Sequence, residues 1–225
     1  MVNVFIISAP SGSGKSTLVS KIRIAVPDLE FSISYTTRKP RGAEQDGREY
    51  FFVSPAEFEA MIHKDEFLEH ACVFGNYYGT AGRFLRKADE QGKDLLLDID
   101  VQGSAQIKKK LRDAVSIFVL PPNRAELEKR LRERGQDKEE DIQRRLDDAT
   151  REIENYDKYD YILVNDDLND SVRALKAILL AERQRRQGAA DANLNAQADA
   201  YRLSNVRERL EPILQSFREV AAGGK

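Results

Sequence analysis

The sequence predicts an α/β fold built on a parallel-sheet core with helices on both faces. Three observations carry that expectation. Short apolar runs of buried-strand type recur along the chain, helix-type stretches separate them, and a glycine loop lies directly between the first strand and the first helix. The 225 residues suffice for one α/β domain with insertions or for two small ones. With 41% apolar and 33% charged residues the chain can bury a core under a heavily solvated surface, which excludes a disordered polar chain. The 36 basic and 38 acidic residues leave a net charge of only −2. No global field draws the chain onto nucleic acid or an anionic bilayer, so any anion must be caught locally.

Val4-Phe5-Ile6-Ile7-Ser8 is an apolar, β-branched run that stops at Ala9-Pro10, as a strand buried on both faces would. After Ser11-Gly12-Ser13-Gly14, the positions Leu18, Val19, Ile22 and Val26 follow helical spacing until Pro27 closes the segment. From residue 34 to about 88, Gly42, Asp46-Gly47, Gly75, Gly79 and Gly82 interrupt aromatic runs such as Tyr50-Phe51-Phe52-Val53. That pattern predicts an inserted subdomain of small antiparallel β structure with tight turns. Buried-strand patterns return at Leu95-Leu96-Leu97-Asp98-Ile99, at Val115 to Leu120, and at Tyr161-Ile162-Leu163-Val164, with helix-type sequence between them.

The stretch from about 123 to 157 interleaves arginines with acids and reads as exposed helix. An amphipathic helix follows from about Asp170 to Gln187. Beyond Gly188, Leu203, Val206, Leu210, Leu214 and Phe217 keep helical spacing around Pro212. Their stripe either folds back onto this chain's own core or pairs with a second copy to make a homo-oligomer. The single Cys72 cannot close an internal disulfide and reads as a small buried hydrophobe, and His63 and His70 read as structural or surface residues. The N-terminus lacks an export pattern, so a cytoplasmic location is expected. The longest apolar run, Ala177 to Ala181, is far below the about 20 residues of a membrane span, so no membrane partner is expected.

Ser11-Gly12-Ser13-Gly14-Lys15-Ser16 has the make-up of a phosphate-binding loop. Small residues let backbone N–H groups face inward, the helix N-terminus adds partial positive charge, Lys15 bridges phosphates, and the Ser16 hydroxyl can ligate Mg²⁺. Nucleoside triphosphate binding follows. Ala9 departs from the pattern G-x-x-x-x-G-K-[ST], and is tolerated provided its position demands no positive φ. In Ser34-Tyr35-Thr36-Thr37-Arg38-Lys39-Pro40-Arg41, two guanidinium forks three residues apart suit an oxyanion, which makes a second phosphate site. The Tyr50 and Tyr78 hydroxyls are placed to complete it, unless the two are plain hairpin aromatics. Asp98 and Asp100 end a buried strand, where ligands collect in open α/β sheets. One of them organises Mg²⁺ or the acceptor, or else caps the helix starting near Gly103-Ser104.

Taken together, these motifs make the chain resemble guanylate kinase. The likeness runs through S-A-P-S-G-S-G-K-S-T at 8 to 17, S-Y-T-T-R-K-P-R-G-A-E at 34 to 44, D-G-R-E-Y-F-F-V at 46 to 53, E-F-L-E-H-A at 66 to 71, G-N-Y-Y-G-T at 75 to 80, L-D-I-D-V-Q-G at 97 to 103 and V-N-D-D at 164 to 167. It covers about residues 3 to 187, in order. The resemblance implies a P-loop nucleoside monophosphate kinase fold. Its core would comprise 1–33, 89–123 and 158–187, with a mixed α/β GMP-binding subdomain at 34–88, a helical lid at 124–157, and an extension of open role at 188–225.

The resemblance further implies ATP as phosphoryl donor with Mg²⁺, and GMP or dGMP as acceptor. The donor would lie on the loop Ala9, Pro10, Ser11, Gly12, Ser13, Gly14, Lys15, Ser16 and Thr17. The acceptor phosphate would be held by Arg38, Arg41, Tyr50 and Tyr78, and guanine read by Ser34, Glu69 and Thr80. A carboxylate suits that task because guanine presents adjacent N–H donors where adenine presents an acceptor. Without the family, Glu69 reads as a solvated surface acid. Asn165 and Asp166 match positions near the donor adenine, although a plain turn fits them equally. Arg130, Arg134 and Arg145 match residues that close over the transferring phosphate. The acceptor oxygen is already largely ionised at neutral pH, so no general base is needed. The competing readings are a non-catalytic guanylate kinase-like binding module and a kinase of another nucleoside monophosphate. The presence of Lys15, Ser16, Arg38 and Arg41 speaks against the first.

Overall fold

Every residue of strand β1 (Val4–Ser8) is buried, as its unbroken apolar run requires. The computed structural model describes residues 2–73, 75–133 and 138–223. Helix α1 (Lys15–Ala25) buries Leu18, Val19 and Ile22, the positions expected from the spacing. Strand β2 (Leu29–Phe31) precedes the insert, which contains β3 (Tyr35–Thr36), β4 (Phe51–Phe52), α2 (Pro55–His63), β5 (Phe67–Val73), β6 (Asn76–Ala81) and α3 (Arg83–Gln91). Next come β7 (Asp94–Asp98), α4 (Val101–Lys110), β8 (Val115–Leu120), α5 (Arg124–Glu133), α6 (Glu139–Ile153), β9 (Tyr161–Val164), α7 (Leu168–Arg186), α8 (Ala192–Asp199) and α9 (Leu203–Gly223).

The chain divides into two compact units, Met1–Ile6 with Pro27–Val115 and Ile7–Val26 with Ser116–Lys225. In the first unit β2 and β7 pair in parallel, from Leu29 opposite Asp94 to Phe31 opposite Leu96. In the second, β8 and β9 pair in parallel from Ile117 opposite Tyr161 to Leu120 opposite Val164. Strand β1 contributes residues to both units and is central in the strand order β2-β7-β1-β8-β9.

The insert has a second sheet, in the order β4-β3-β6-β5. The pairings β3·β6 and β5·β6 are antiparallel, as its turns suggest, but β3·β4 is parallel, so the sheet is mixed. Helices α2 and α3 lay outside the aromatic-and-glycine pattern and agree with the mixed α/β subdomain that the resemblance implies. The start of α2 is a capping box: Ser54 Oγ accepts from Glu57 N, the Glu57 carboxylate accepts from Ser54 N at 2.8 Å, and Pro55 follows. A core cluster of Val4, Ile6, Phe84, Leu95, Leu97 and Ile107, among others, fills this unit. Along β5 the inward positions are Phe67, Glu69 and Ala71, so Cys72 falls on the other face. It is exposed, against the expectation of burial.

In the second unit α1 packs on α7, and α9 packs on α5, α6 and β9. Val206, Leu210, Leu214 and Phe217 are at most 5% exposed. Of the two fates open for the stripe, the fold-back is the one seen: its apolar surface is spent within this chain. Residues 201–203 run along β9, with Ile162 N donating to Tyr201 O at 2.9 Å and Leu203 N donating to Asp160 O at 3.1 Å. A charged cluster anchors the turn. Arg185 reaches Glu182 at 2.7 Å and Asp199 at 2.8 Å, while Arg202 reaches Asp199 at 2.6 Å and lies over the Tyr161 ring. The buried Tyr161 hydroxyl donates to Glu182. Burial, together with that carboxylate, pushes the Tyr161 phenol well above its ordinary range.

Candidate functional site

The glycine loop lies wholly in the second unit. It begins after Ser8, at the C-terminal end of β1, and Gly14 forms the N-cap of α1. Gly12 and Gly14 have φ of 98° and 86°, where a side chain would be strained. A Cβ on Gly12 would also meet Leu127 Cδ1 of α5 at 2.7 Å, and one on Gly14 would collide with the Asn165 amide. Ala9 is not among the positive-φ residues, so alanine meets the condition set for replacing glycine there. Ser13 N donates to Pro10 O at 3.1 Å and closes the turn.

Asn165, just after β9, is only 5% exposed and donates from Nδ2 to Ser13 O at 2.7 Å. Its own carbonyl accepts from Arg130 Nη1 at 3.1 Å, and Arg130 Nε is held by Glu126 at 2.9 Å. A pocket of about 350 Å³ opens here, lined by Gly12, Gly14, Thr17, Arg130, Asn165 and Asp166 with others. Lys15 is half-buried and Ser16 exposed in the first turn of α1, which has no acidic residue. The turn therefore offers its N–H groups and a cation to an anionic ligand. Among the described residues no group of His, Cys, Asp and Glu could hold a metal ion. The sequence assigns the Ser16 hydroxyl, exposed in the first turn of α1, to Mg²⁺, a hard cation that keeps waters and binds through phosphates.

The residues expected to hold the acceptor all fall in the first unit. Arg38 is 9% exposed; its Nη2 donates to Glu44 Oε1 at 3.0 Å and its Nη1 to Lys39 O at 2.8 Å. Its guanidinium lies over the Tyr50 ring at 5.3 Å, and Tyr50 meets Tyr78 edge-on at 5.9 Å. Arg41 is exposed, and its main-chain N–H donates to Glu44 Oε2 at 2.8 Å. One carboxylate thus ties both arginine positions. Burial pushes the Glu44 carboxyl up, but the hydrogen bonds from Arg38 and Arg41 prevail and hold it below its ordinary value. Glu44 has no expected role; the available signal was an acid within short reach of two arginines.

Glu69 is 3% exposed on β5, opposite Thr80 on β6. Burial raises its carboxyl to about 7, the Asp100 charge adds to the rise, and Thr80 and Lys110 pull the other way. The Thr80 hydroxyl is fully buried without a well-formed hydrogen bond. Ser34 is half-buried, and its carbonyl accepts from Phe51 N at 2.9 Å. Asp100 is the N-cap of α4 and accepts from Gly103 N at 2.9 Å, which is the capping alternative left open for it. Asp98 ends β7, half-buried. Arg145 is half-buried on α6. Arg134 lies outside the described residues.

Comparison with known proteins gives a consistent result. A family model described as guanylate kinase matches residues 1–182. A guanylate kinase of Koribacter versatilis (strain Ellin345) is 56% identical over 223 residues, covering 96% of each chain, so that match extends into residues 188–225. One from Escherichia coli (strain K12) is 50% identical over 184 residues, covering 81% of this chain and 89% of its own. A crystal structure of guanylate kinase from Anaplasma phagocytophilum covers 94% of both chains with a TM-score of 0.67 and 31% identity. The strand–glycine loop–helix unit, the parallel sheet and these matches together establish that the chain belongs to the guanylate kinase family.

Proposed function

We propose that this protein transfers the terminal phosphoryl group of ATP to GMP, giving ADP and GDP. The observation that carries the choice of acceptor is the buried Glu69 carboxyl beside the Thr80 hydroxyl. A glycine loop alone is shared by many nucleotide-binding proteins, whereas a buried acid facing a base rewards adjacent N–H donors and penalises an acceptor. Guanine has the donors. Arg38 and Arg41, ordered by Glu44 and accompanied by Tyr50 and Tyr78, supply a cationic, hydroxyl-bearing seat for the acceptor phosphate. Ser34 completes the base contacts. Asp98, at the end of β7, is assigned to the acceptor, and Asp100 acts through α4.

On the donor side the loop N–H groups and Lys15 take the ATP phosphates, and the Ser16 hydroxyl would hold Mg²⁺. The ion, when bound, neutralises phosphate charge. Arg130, Arg145 and Arg134 supply cations to the transferring group. An oxygen of the GMP phosphate forms the new bond to the γ-phosphorus as the bond to ADP breaks. That oxygen is already ionised, so alignment, charge and exclusion of water do the catalysis. Segments 34–88 and 124–157 are assigned to acceptor binding and to the lid. The comparisons lend no support to a non-catalytic module. Steady-state ADP release with GMP, dGMP, AMP, CMP and UMP tests the reading. Turnover with the guanine nucleotides and little with the others is expected, and equal use of AMP would refute it.

A further inference from the structure

Helix α4 grips the strand that carries Glu69 through one face. Three of its residues, Gly103, Gln106 and Lys110, recur at the three-and-four spacing that puts them on a single side. Each meets one of three consecutive residues of β5. Lys110 Nζ donates to Leu68 O at 2.7 Å. Gln106 pairs twice with the His70 main chain, donating from Nε2 to its carbonyl at 2.7 Å and accepting from its N–H at 3.3 Å. Between these clamps Gly103 faces Glu69 itself. Strand β5 ends the sheet order β4-β3-β6-β5, so these side chains also satisfy backbone groups of an edge strand.

Gly103 is the informative member. It lies within α4 and has no positive φ, so its backbone does not require glycine. A glycine inside a helix is about 1 kcal/mol less favourable than alanine. What glycine provides here is room. A Cβ at this position would come within 2.5 Å of Glu69 Oε2, 3.0 Å of its Cδ and 3.2 Å of Asp100 Oδ1. Ordinary contact starts near 3.4 Å, so the carboxyl would have to withdraw by roughly 1 Å, a movement a flexible side chain can make without unfolding anything.

We infer that Gly103, with the Gln106 and Lys110 clamps beside it, is a specificity-determining positioning residue: its missing side chain seats the Glu69 carboxyl where guanine is read. The inference rests on the assignment of Glu69 to the base. The acid accepts two parallel N–H donors from guanine only if both oxygens are correctly placed, and displacement of about 1 Å in such an arrangement costs up to about 100-fold.

The test compares Gly103→Ala, Glu69→Gln and wild type in steady-state kinetics with GMP, inosine 5′-monophosphate, which lacks the 2-amino donor, and ATP, together with thermal melting. For Gly103→Ala, a GMP KM higher by about 10- to 100-fold is expected, with a matching loss of preference for GMP over the inosine nucleotide. The ATP KM should hold, and the melting temperature should hold or rise by a few degrees, since alanine is the better helix former. A conservative rescue adds a second readout: Glu69→Asp, which shortens the side chain by one methylene, should cost less in the Gly103→Ala background than in wild type. Unchanged GMP KM and preference in Gly103→Ala, with Glu69→Gln impaired, would overturn the inference alone. A lowered melting temperature with ATP and GMP constants moving together would reduce Gly103 to a structural role and overturn it too. Glu69→Gln with wild-type preference would remove the base assignment itself.

Discussion

Glu69 should make GMP binding depend on pH in a range where few other groups titrate. Its carboxyl is raised from 4.5 to about 7, first by burial and then by the Asp100 charge, while Thr80 and Lys110 moderate the rise. Only the ionised form accepts both guanine N–H donors at once, so the apparent KM for GMP grows as protons occupy the site. It should be on the order of tenfold higher at pH 6 than at the alkaline limit, about twofold at pH 7, and nearly flat above pH 8. The GMP phosphate itself titrates near pH 6. The measurement is therefore the ratio of KM profiles between wild type and Glu69→Gln, which cancels that contribution. Stability should move the opposite way. A carboxyl whose folded pKa lies above its unfolded one favours the folded state at low pH, and this advantage disappears as pH rises through about 7. Between pH 5 and pH 8, Glu69→Gln should accordingly gain roughly 2–3 kcal/mol relative to wild type in urea denaturation. Parallel KM profiles for the two proteins would refute the assignment of Glu69 to guanine.

Other substitutions probe the remaining parts. Lys15→Ala and Arg41→Ala should each lower kcat by about 100-fold or more, because each removes a cation from a phosphate whose charge is redistributed in transfer. Wild-type turnover in Arg41→Ala would reject the acceptor-phosphate assignment. Asn165→Ala removes the amide that holds Ser13 O and leaves that buried carbonyl unpaired, so the fold should lose about 1–3 kcal/mol in denaturation, and the loosened loop should raise the ATP KM with GMP KM unchanged. Equal ATP kinetics would show that the loop holds its shape without Asn165. Phe217→Ala, at 1% exposure on α9, should cost about 3–5 kcal/mol in denaturation, independent of protein concentration. A concentration-dependent loss would assign the stripe to a subunit contact instead.

Local pattern was most informative where burial on both faces demands a continuous apolar run. β1, β8 and β9 coincide with the segments expected from Val4–Ser8, Val115–Leu120 and Tyr161–Val164. The insert was harder because β3 and β4 are two residues long and have no period to detect. The Ser54–Glu57 box that starts α2 is written in the sequence, but it follows directly on an aromatic run of strand type. Glu69 illustrates the limit for single residues. An acid in isolation belongs at the surface, and only tertiary neighbours, Thr80 across the sheet and the notch at Gly103, make its burial intelligible. Cys72 is exposed for a simpler reason: strand parity, fixed by Phe67, Glu69 and Ala71, turns it outward. The fate of the α9 stripe depended on packing partners, α5, α6 and β9, that no local pattern names.

The central claim is tested most directly by mixing the protein in excess with ATP labelled at its γ-phosphate and with unlabelled GMP, then following the label through one turnover. The account predicts label in the β-phosphate of GDP, at a rate that collapses when AMP replaces GMP. Label released as inorganic phosphate regardless of the nucleotide added would contradict it.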